Sequence, residues 1–479
     1  MSSRELDYMV EHGLINNLSI RFGVIGAGQK GNKEADILAG YKFSDGTICY
    51  PSLAINFAEP DMLHLKNIPE EDRITFDGLK GAARTPALVV EYFDPKVNKQ
   101  ANEMRQKLAN AMSKKFEDID HLLITLGAGG GFGTGFGSLV LSLIKEGFFP
   151  VPVTLLFSIP FDDQDEMANA LLLMDEIRQF MDLQVSVFEP TESKPLASAI
   201  TTDNRWLCEI FERKKNLRGF QQKALSWKDE SNHATLSIIH ESNVIPANFG
   251  SDNITFDPSD LMKLVQLSGK FITFAKARID PEYSTDVLEK KMKASIDNGF
   301  FSCGHHFNTA TMYGGFIIRP GHSAFFKDIA TEKTIKKVLG NYQPLTSMSG
   351  KYGDPIWTEN YAVAYTMFAG LGMPERFAQL AEELKELKDR DRTKQQQQMK
   401  EVDISVAKSS VQNAFNPYKS KAANRFGSDH TDSSVESVFS RKASPQEQEN
   451  QSENNQPSSD KKAFGLQRDR FERLRNTPP

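Results

Sequence analysis

The run Gly127-Ala128-Gly129-Gly130-Gly131-Phe132-Gly133-Thr134-Gly135-Phe136-Gly137 directly follows the apolar stretch Leu122-Leu123-Ile124-Thr125-Leu126. Positions without a Cβ let successive backbone N–H groups converge on an anion at the start of a helix, so this spacing suits phosphate binding. The apolar Ser138–Ile144 that follows reads as that helix. A flexible hinge is the plainer alternative, but hinges seldom separate a buried strand from a buried helix. A second motif, Gly26-Ala27-Gly28-Gln29-Lys30-Gly31, has the GxGxxG spacing of a dinucleotide-binding turn. Farther along, Asp257-Pro258-Ser259-Asp260 reads as a helix start, with Asp257 as N-cap and Pro258 at the first helical position.

Strands and helices must deliver these loops. Strand-like runs at Arg21–Ile25, Leu53–Asn56, His121–Leu126, Val153–Phe157 and Val185–Phe188 alternate with stretches of helical period at Ala101–Phe116 and Met167–Met181. This is the βαβ rhythm of a parallel sheet. After Phe300 the pattern shifts to shorter strands, including Ala310–Ile318, and then to a helix-rich end from Thr358 to Leu387, which suggests a smaller second domain. From Gln395 onward Gln, Ser, Asn, Lys and Pro dominate, and such sequence is expected to stay disordered.

A nicotinamide-dependent dehydrogenase would use the first glycine motif, with a ribose-binding carboxylate at the tip of the second strand. That strand instead ends Ala54-Ile55-Asn56-Phe57, and the second phosphate loop is left without a purpose. No GxxxxGK[ST] is present, which excludes the usual P-loop. A chain of 479 residues with 39% hydrophobic content can bury two cores. No apolar run reaches membrane-spanning length and the start lacks signal-peptide order, so a cytoplasmic location is expected. Cys49, Cys208 and Cys303 lie in no metal or redox spacing, and His305-His306 has no partner at metal spacing. The formal charge of −6 argues against general nucleic-acid binding by the folded body.

Taken together, the loops resemble those of the tubulin/FtsZ family of GTPases. Gly28-Gln29-Lys30-Gly31-Asn32 is similar to the family's first nucleotide loop, and Gly129–Gly135 to its GGGTGTG signature, with Phe132 replacing the first Thr. Gly81-Ala82-Ala83-Arg84-Thr85-Pro86 resembles the loop over the γ-phosphate, and Pro160-Phe161-Asp162 the sugar-side loop. Within the family, the GAAR-x-P loop, Phe368–Pro374 and a polar tail ending in basic residues are most similar to the bacterial plasmid-segregation branch, TubZ.

The resemblance implies an α/β fold: a Rossmann-like GTPase domain joined by a long central helix to a smaller α+β domain, then a disordered tail. Applied here, it divides the chain into an N-terminal helical extension (1–20), a GTP-binding domain (21–230), the central helix (231–250), an activation domain with terminal helix (251–390) and the tail (391–479). GTP or GDP with Mg²⁺ would sit on Gly28, Gln29, Lys30, Gly31 and Asn32, on Gly81, Ala82, Ala83 and Arg84, and on Gly130, Gly131, Phe132, Gly133, Thr134 and Gly135, with Thr134 adding a hydroxyl. Asp162 would serve the sugar, with Asn32 and Asn232 reading guanine. Arg84 can equally form a surface ion pair, and the two asparagines can equally be local caps. Gln164, Ala168 and Glu192 depart from family residues at ribose and base positions. Asp257 and Asp260 would complete the site from the next subunit, which makes hydrolysis depend on head-to-tail assembly into a filament. The basic segment from Lys461 to Pro479, with Phe464, Leu466, Phe471 and Leu474 interleaved, would engage a centromere-binding helix-turn-helix adaptor on plasmid DNA. A filament for division or phage positioning is the alternative within the same family.

Overall fold

Six short strands run parallel: β1 (Phe22–Ala27), β2 (Ser52–Asn56), β3 (Arg73–Thr75), β4 (His121–Gly127), β5 (Val153–Ile159) and β6 (Leu196–Asp203). The computed structural model describes residues 4–76, 79–218, 226–249, 256–280, 285–320, 336–342, 346–349, 352–354 and 361–414. The expected basic tail from Lys461 lies outside them. The strands pair in the order β3-β2-β1-β4-β5-β6. Helices α2 (Gly28–Ala39), α5 (Gly131–Lys145) and α6 (Gln164–Val187) follow β1, β4 and β5. The connections run one way from β1 and the other way from β4. In doubly wound sheets ligands bind outside the strand ends at such a reversal.

The sheet continues past β6. Strand β7 (Lys270–Ile279) touches β6 through only Ser198↔Lys270 and Ala199↔Phe271, then pairs antiparallel with β11 (Ala362–Leu371). Strand β11 pairs antiparallel with β8 (Met312–Pro320), and β9 (Thr346–Ser349) and β10 (Tyr352–Asp354) flank β8. Among the described residues the result is one sheet of 11 strands.

Helix α8 (Trp227–Asn248) lies largely buried and spans the sheet from edge to edge. Near its start Asn232 meets Lys30, just beyond the end of β1. Near its end Asn243 bonds the backbone of Ile20, and Asn248 accepts the N–H groups of Asn16 and Asn17, all ahead of β1. At 1.5 Å per residue the helix covers about 33 Å. Helix α9 (Pro258–Leu267) is anchored at the edge where strands begin. Gln266 O accepts from Lys194 N, ahead of β6, and its side chain lies 3.3 Å from His121 Nδ1 at the first residue of β4.

Three sequence-based expectations need correction. Val185–Phe188 is not a strand: Val185 and Val187 belong to the last turn of α6, which runs for 24 residues without Gly or Pro. The strand that follows β5 is β6, whose Ser198, Thr201 and Thr202 gave it little apolar signal although every residue is buried. In the stretch from Thr358 to Leu387, the described part opens with strand β11 and becomes helical only at Glu375, after Pro374. That terminal helix then continues to Ala414 rather than yielding to disorder near residue 391. Its Glu, Lys, Gln and Arg residues are good helix formers spaced for i,i+4 pairs such as Glu386–Arg390, and no Gly or Pro interrupts them. Residues up to Leu384 form one packed unit, and the helix from Lys385 belongs to a second.

A buried ionic cluster joins α1 (Arg4–Glu11), α8 and β7. Lys276 Nζ lies 2.8 Å from Glu5 Oε2 and 2.7 Å from Glu241 Oε2, and Tyr365 OH donates to Glu241 Oε2 at 2.7 Å. Burial pulls the ammonium pKa down, but Glu241 and Glu5 outweigh it and hold Lys276 above its ordinary range. Replacing Lys276 with Met leaves two carboxylates facing each other out of water. The expected loss is about 3–5 kcal/mol of stability, read from the urea midpoint. A loss below about 1 kcal/mol would show that the cluster does not hold the three elements together.

Candidate nucleotide-binding site

Helix α2 begins at Gly28 with Ala27 as N-cap, and α5 begins at Gly131 with Gly130 as N-cap. The first N–H groups of a helix have no partner within it. Here these are Gly28, Gln29 and Lys30 on one helix and Gly131, Phe132 and Gly133 on the other; Thr134 N already donates to Gly130 O at 3.2 Å. The two starts touch. Gly28 has a left-handed φ of 73°, and a Cβ there would lie 3.2 Å from Gly133 N. Two positive helix ends thus meet at the reversal between β1 and β4, an arrangement suited to the phosphates of a nucleotide.

The segment Gly81–Thr85 passes over this point. A Cβ on Gly131 would lie 2.8 Å from the backbone nitrogens of Arg84 and Thr85 and 2.9 Å from Ala82 Cβ, so the contact requires glycine. Ala83 and Arg84 adopt φ of 43° and 59°, a conformation that costs a non-glycine residue about 1–2 kcal/mol. Strain of this kind persists where the surroundings over-determine it. Asn169 of α6 and the N-cap of that helix, Asp163, do so. Asn169 Nδ2 donates to both Arg84 O and Gly129 O at 3.0 Å, and Asp163 Oδ2 receives Arg84 Nη1 at 2.7 Å. Asp163 also caps α6 through the N–H groups of Asp165 and Glu166. The Glu166 N–H, with the Arg84 guanidinium beside it, holds that carboxyl below its usual range. Asp162, exposed with φ 67°, precedes this cap, and Phe161 packs toward Trp227 at the start of α8 with ring centroids 6.2 Å apart.

Several expected ligand contacts point elsewhere. Asn32 is fully buried and pairs with the backbone of Ile55 through both ends of its amide, so it ties α2 to β2 and does not read a base. Thr134 Oγ1 donates to Ala128 O at 2.6 Å inside the loop and offers no hydroxyl outward. The Phe132 ring packs edge-on against Phe57 and stacks with Phe136, leaving only its backbone for the site. Gly31 and Gly135 serve close packing of α2 on β4 and of α5 on Pro86. Lys30 Nζ lies 2.9 Å from Glu34 Oε1 and 2.8 Å from Asn232 Oδ1. Gln29 and Asn232 line one end of a cavity of about 1040 Å³ that runs along α2 to Leu6 and Tyr41.

Asp257 and Asp260 form a full capping box at the start of α9. Asp257 accepts from the N–H groups of Ser259 and Asp260, and Asp260 Oδ2 accepts from Asp257 N at 3.2 Å. The Ser259 hydroxyl and these N–H groups hold Asp257 below the usual carboxylate range. Asp260 Oδ1 faces Lys263 at 3.2 Å, and its side chain is 15% exposed.

Sequence reasoning missed Asn169. Nothing in its neighbours marks it, because its two acceptors lie 85 and 40 residues away. Asn169→Ala is expected to release Gly81–Thr85 at about 1–3 kcal/mol. Amide exchange at residues 82–85 would then speed up at least about fivefold while global melting changes little; unchanged exchange would remove Asn169 from this role.

Residues 91–188 match the model of the tubulin/FtsZ family GTPase domain, and residues 241–381 match the C-terminal domain of tubulin/FtsZ-like TubZ-like proteins. The chain is 51% identical over 432 residues to the tubulin-like protein TubZ of Bacillus thuringiensis subsp. israelensis, covering 87% of this chain and 89% of that one. It superposes with a TM-score of 0.81 on a GTPγS-form protofilament of B. thuringiensis serovar israelensis TubZ, at 48% identity and covering 85% of this chain and all of the other. A helical model of a two-stranded TubZ filament gives a TM-score of 0.79 at 51% identity, covering 84% of this chain and 97% of that one. The chain is therefore a GTPase, and it belongs to the TubZ-like branch of the tubulin/FtsZ family.

Proposed function

We propose that this GTPase assembles head to tail into filaments that move or segregate plasmid or phage DNA. Similar proteins have been described as two-stranded and four-stranded TubZ filaments and as a type III plasmid segregation TubZ. One observation carries the assembly-dependent part of the reading. The nucleotide cradle lies where the parallel strands end, whereas α9, with Asp257 and Asp260, is anchored where they begin. Within one chain α9 and the cradle lie toward opposite ends of the parallel strands. Stacking a second copy on the cradle edge brings them together, and repetition gives a filament.

In this reading the N–H groups of Gly28, Gln29, Lys30, Gly131, Phe132 and Gly133 neutralise developing phosphate charge, while Gly81, Ala82, Ala83 and Arg84 close over the terminal phosphate. Gly130 shapes the turn into α5, Asp162 borders the ribose, and Asn232 meets the base. Asp260 of the incoming subunit orients the attacking water, with Asp257 holding the helix start. Mg²⁺ commonly binds nucleotide phosphates through their own oxygens and water. No group of three His, Cys, Asp or Glu poised for a metal occurs among the described residues.

The basic tail is the proposed tether to a centromere-binding helix-turn-helix adaptor, supported by its charge and by its many copies along a filament. Deleting residues 461–479 is expected to leave GTP-dependent pelleting within about twofold of the full chain while weakening capture of adaptor–DNA complexes at least tenfold, as avidity through many weak contacts requires. Equal capture without the tail would remove it from this role.

A further inference from the structure

We propose that Lys30 acts as a specificity-determining residue, locking the Asn232 side-chain amide so that it presents a donor to the 6-carbonyl of a bound purine. The inference rests on the reading of Asn232 as the base contact. Amide orientation is ordinarily ambiguous, but an ammonium only donates, so the oxygen of Asn232 must be the atom facing Lys30 at 2.8 Å. Asn232 also lines the cavity beside Gln29, and with Oδ1 held by Lys30 its remaining polar atom is the donor Nδ2.

The arrangement is built at a cost. Glu34, 2% exposed, spends one carboxylate oxygen on Lys30 and leaves Oε2 buried without a partner. Burial pushes its pKa up, against the pull of Lys30. A carboxylate placed so poorly for stability holds the ammonium between helices α2 and α8. A donor fixed toward the base is satisfied by the O6 of guanine or hypoxanthine. It meets another donor in adenine, and nothing at all in 2-aminopurine.

The test is competition of GTP, ITP, ATP and 2-aminopurine riboside triphosphate against a ribose-labelled fluorescent GDP. Wild type is expected to bind GTP and ITP within about threefold of each other and at least tenfold more tightly than the 2-aminopurine nucleotide. Lys30→Met should reduce that ratio to about twofold, and Lys30→Arg should restore most of it. Since Lys30→Met strands Glu34, the double variant Lys30→Met, Glu34→Gln is measured in parallel. If Lys30→Met weakens all four nucleotides equally, the ammonium acts on phosphate and the proposal is overturned. If Asn232→Ala collapses the ratio but neither Lys30 variant does, the locking role alone fails. If Asn232→Ala leaves the ratio intact, Asn232 does not read the base, and the underlying assignment fails with it.

Discussion

Replacing Gly131 with alanine is expected to weaken GTP binding at least about 30-fold, equivalent to about 2 kcal/mol. The new methyl carbon would stand 2.8 Å from two backbone nitrogens, those of Arg84 and Thr85, and 2.9 Å from Ala82 Cβ. None of these is the free end of a flexible side chain, so either the Gly81–Thr85 segment lifts or the first turn of α5 tilts. Both movements separate groups that must act together on the phosphates. The segment is already strained at Ala83 and Arg84 and is held by Asn169 and Asp163, which leaves it little freedom to adapt. Competition binding with labelled GDP reads the loss, and circular dichroism establishes that the variant is folded. Wild-type affinity in a folded variant would mean that these loops do not form one cradle.

The second large effect falls on Asp260. Asp260→Ala is expected to lower steady-state GTP hydrolysis by about 10²–10⁴-fold while GTP-dependent pelleting persists, the result proper to a group that orients water without binding nucleotide. The capping box complicates that variant, because losing Asp260 removes the acceptor for Asp257 N. Asp260→Asn separates the roles. Its amide oxygen still accepts that hydrogen bond, so a helix cap alone would be preserved, whereas a carboxylate needed for chemistry would be lost. The expected result is that both variants assemble and neither hydrolyses GTP at a useful rate. An Asp260→Asn protein that turns over like wild type would confine Asp260 to capping.

The strand–glycine–helix turn at Gly131 was legible in the sequence because its requirement is local. A buried strand, a glycine-rich run and an apolar helix must be contiguous, and they are at Gly131. The outward direction of individual side chains was not legible. Asn32, Phe132 and Thr134 belong to the right loops, yet each turns inward to Ile55, Phe57 or Ala128, partners fixed only when helices dock on the sheet. Asn169 is the converse, an ordinary helical residue that gains its role from acceptors on two distant loops. In the fold, the polar Ser and Thr of β6 hid a fully buried strand, while alternating valines at the end of α6 imitated one. The helix persisting to Ala414 shows propensity and side-chain pairing prevailing over low hydrophobicity.

Division of the active site between molecules has a kinetic signature. The direct measurement is the initial rate of phosphate release per chain, at saturating GTP, across a wide range of chain concentration. A site completed by the next subunit predicts almost no release from dilute chains and a rate per chain that rises with assembly to a plateau. A rate per chain that stays constant from monomer to polymer would place the whole catalytic site within one molecule and contradict the account.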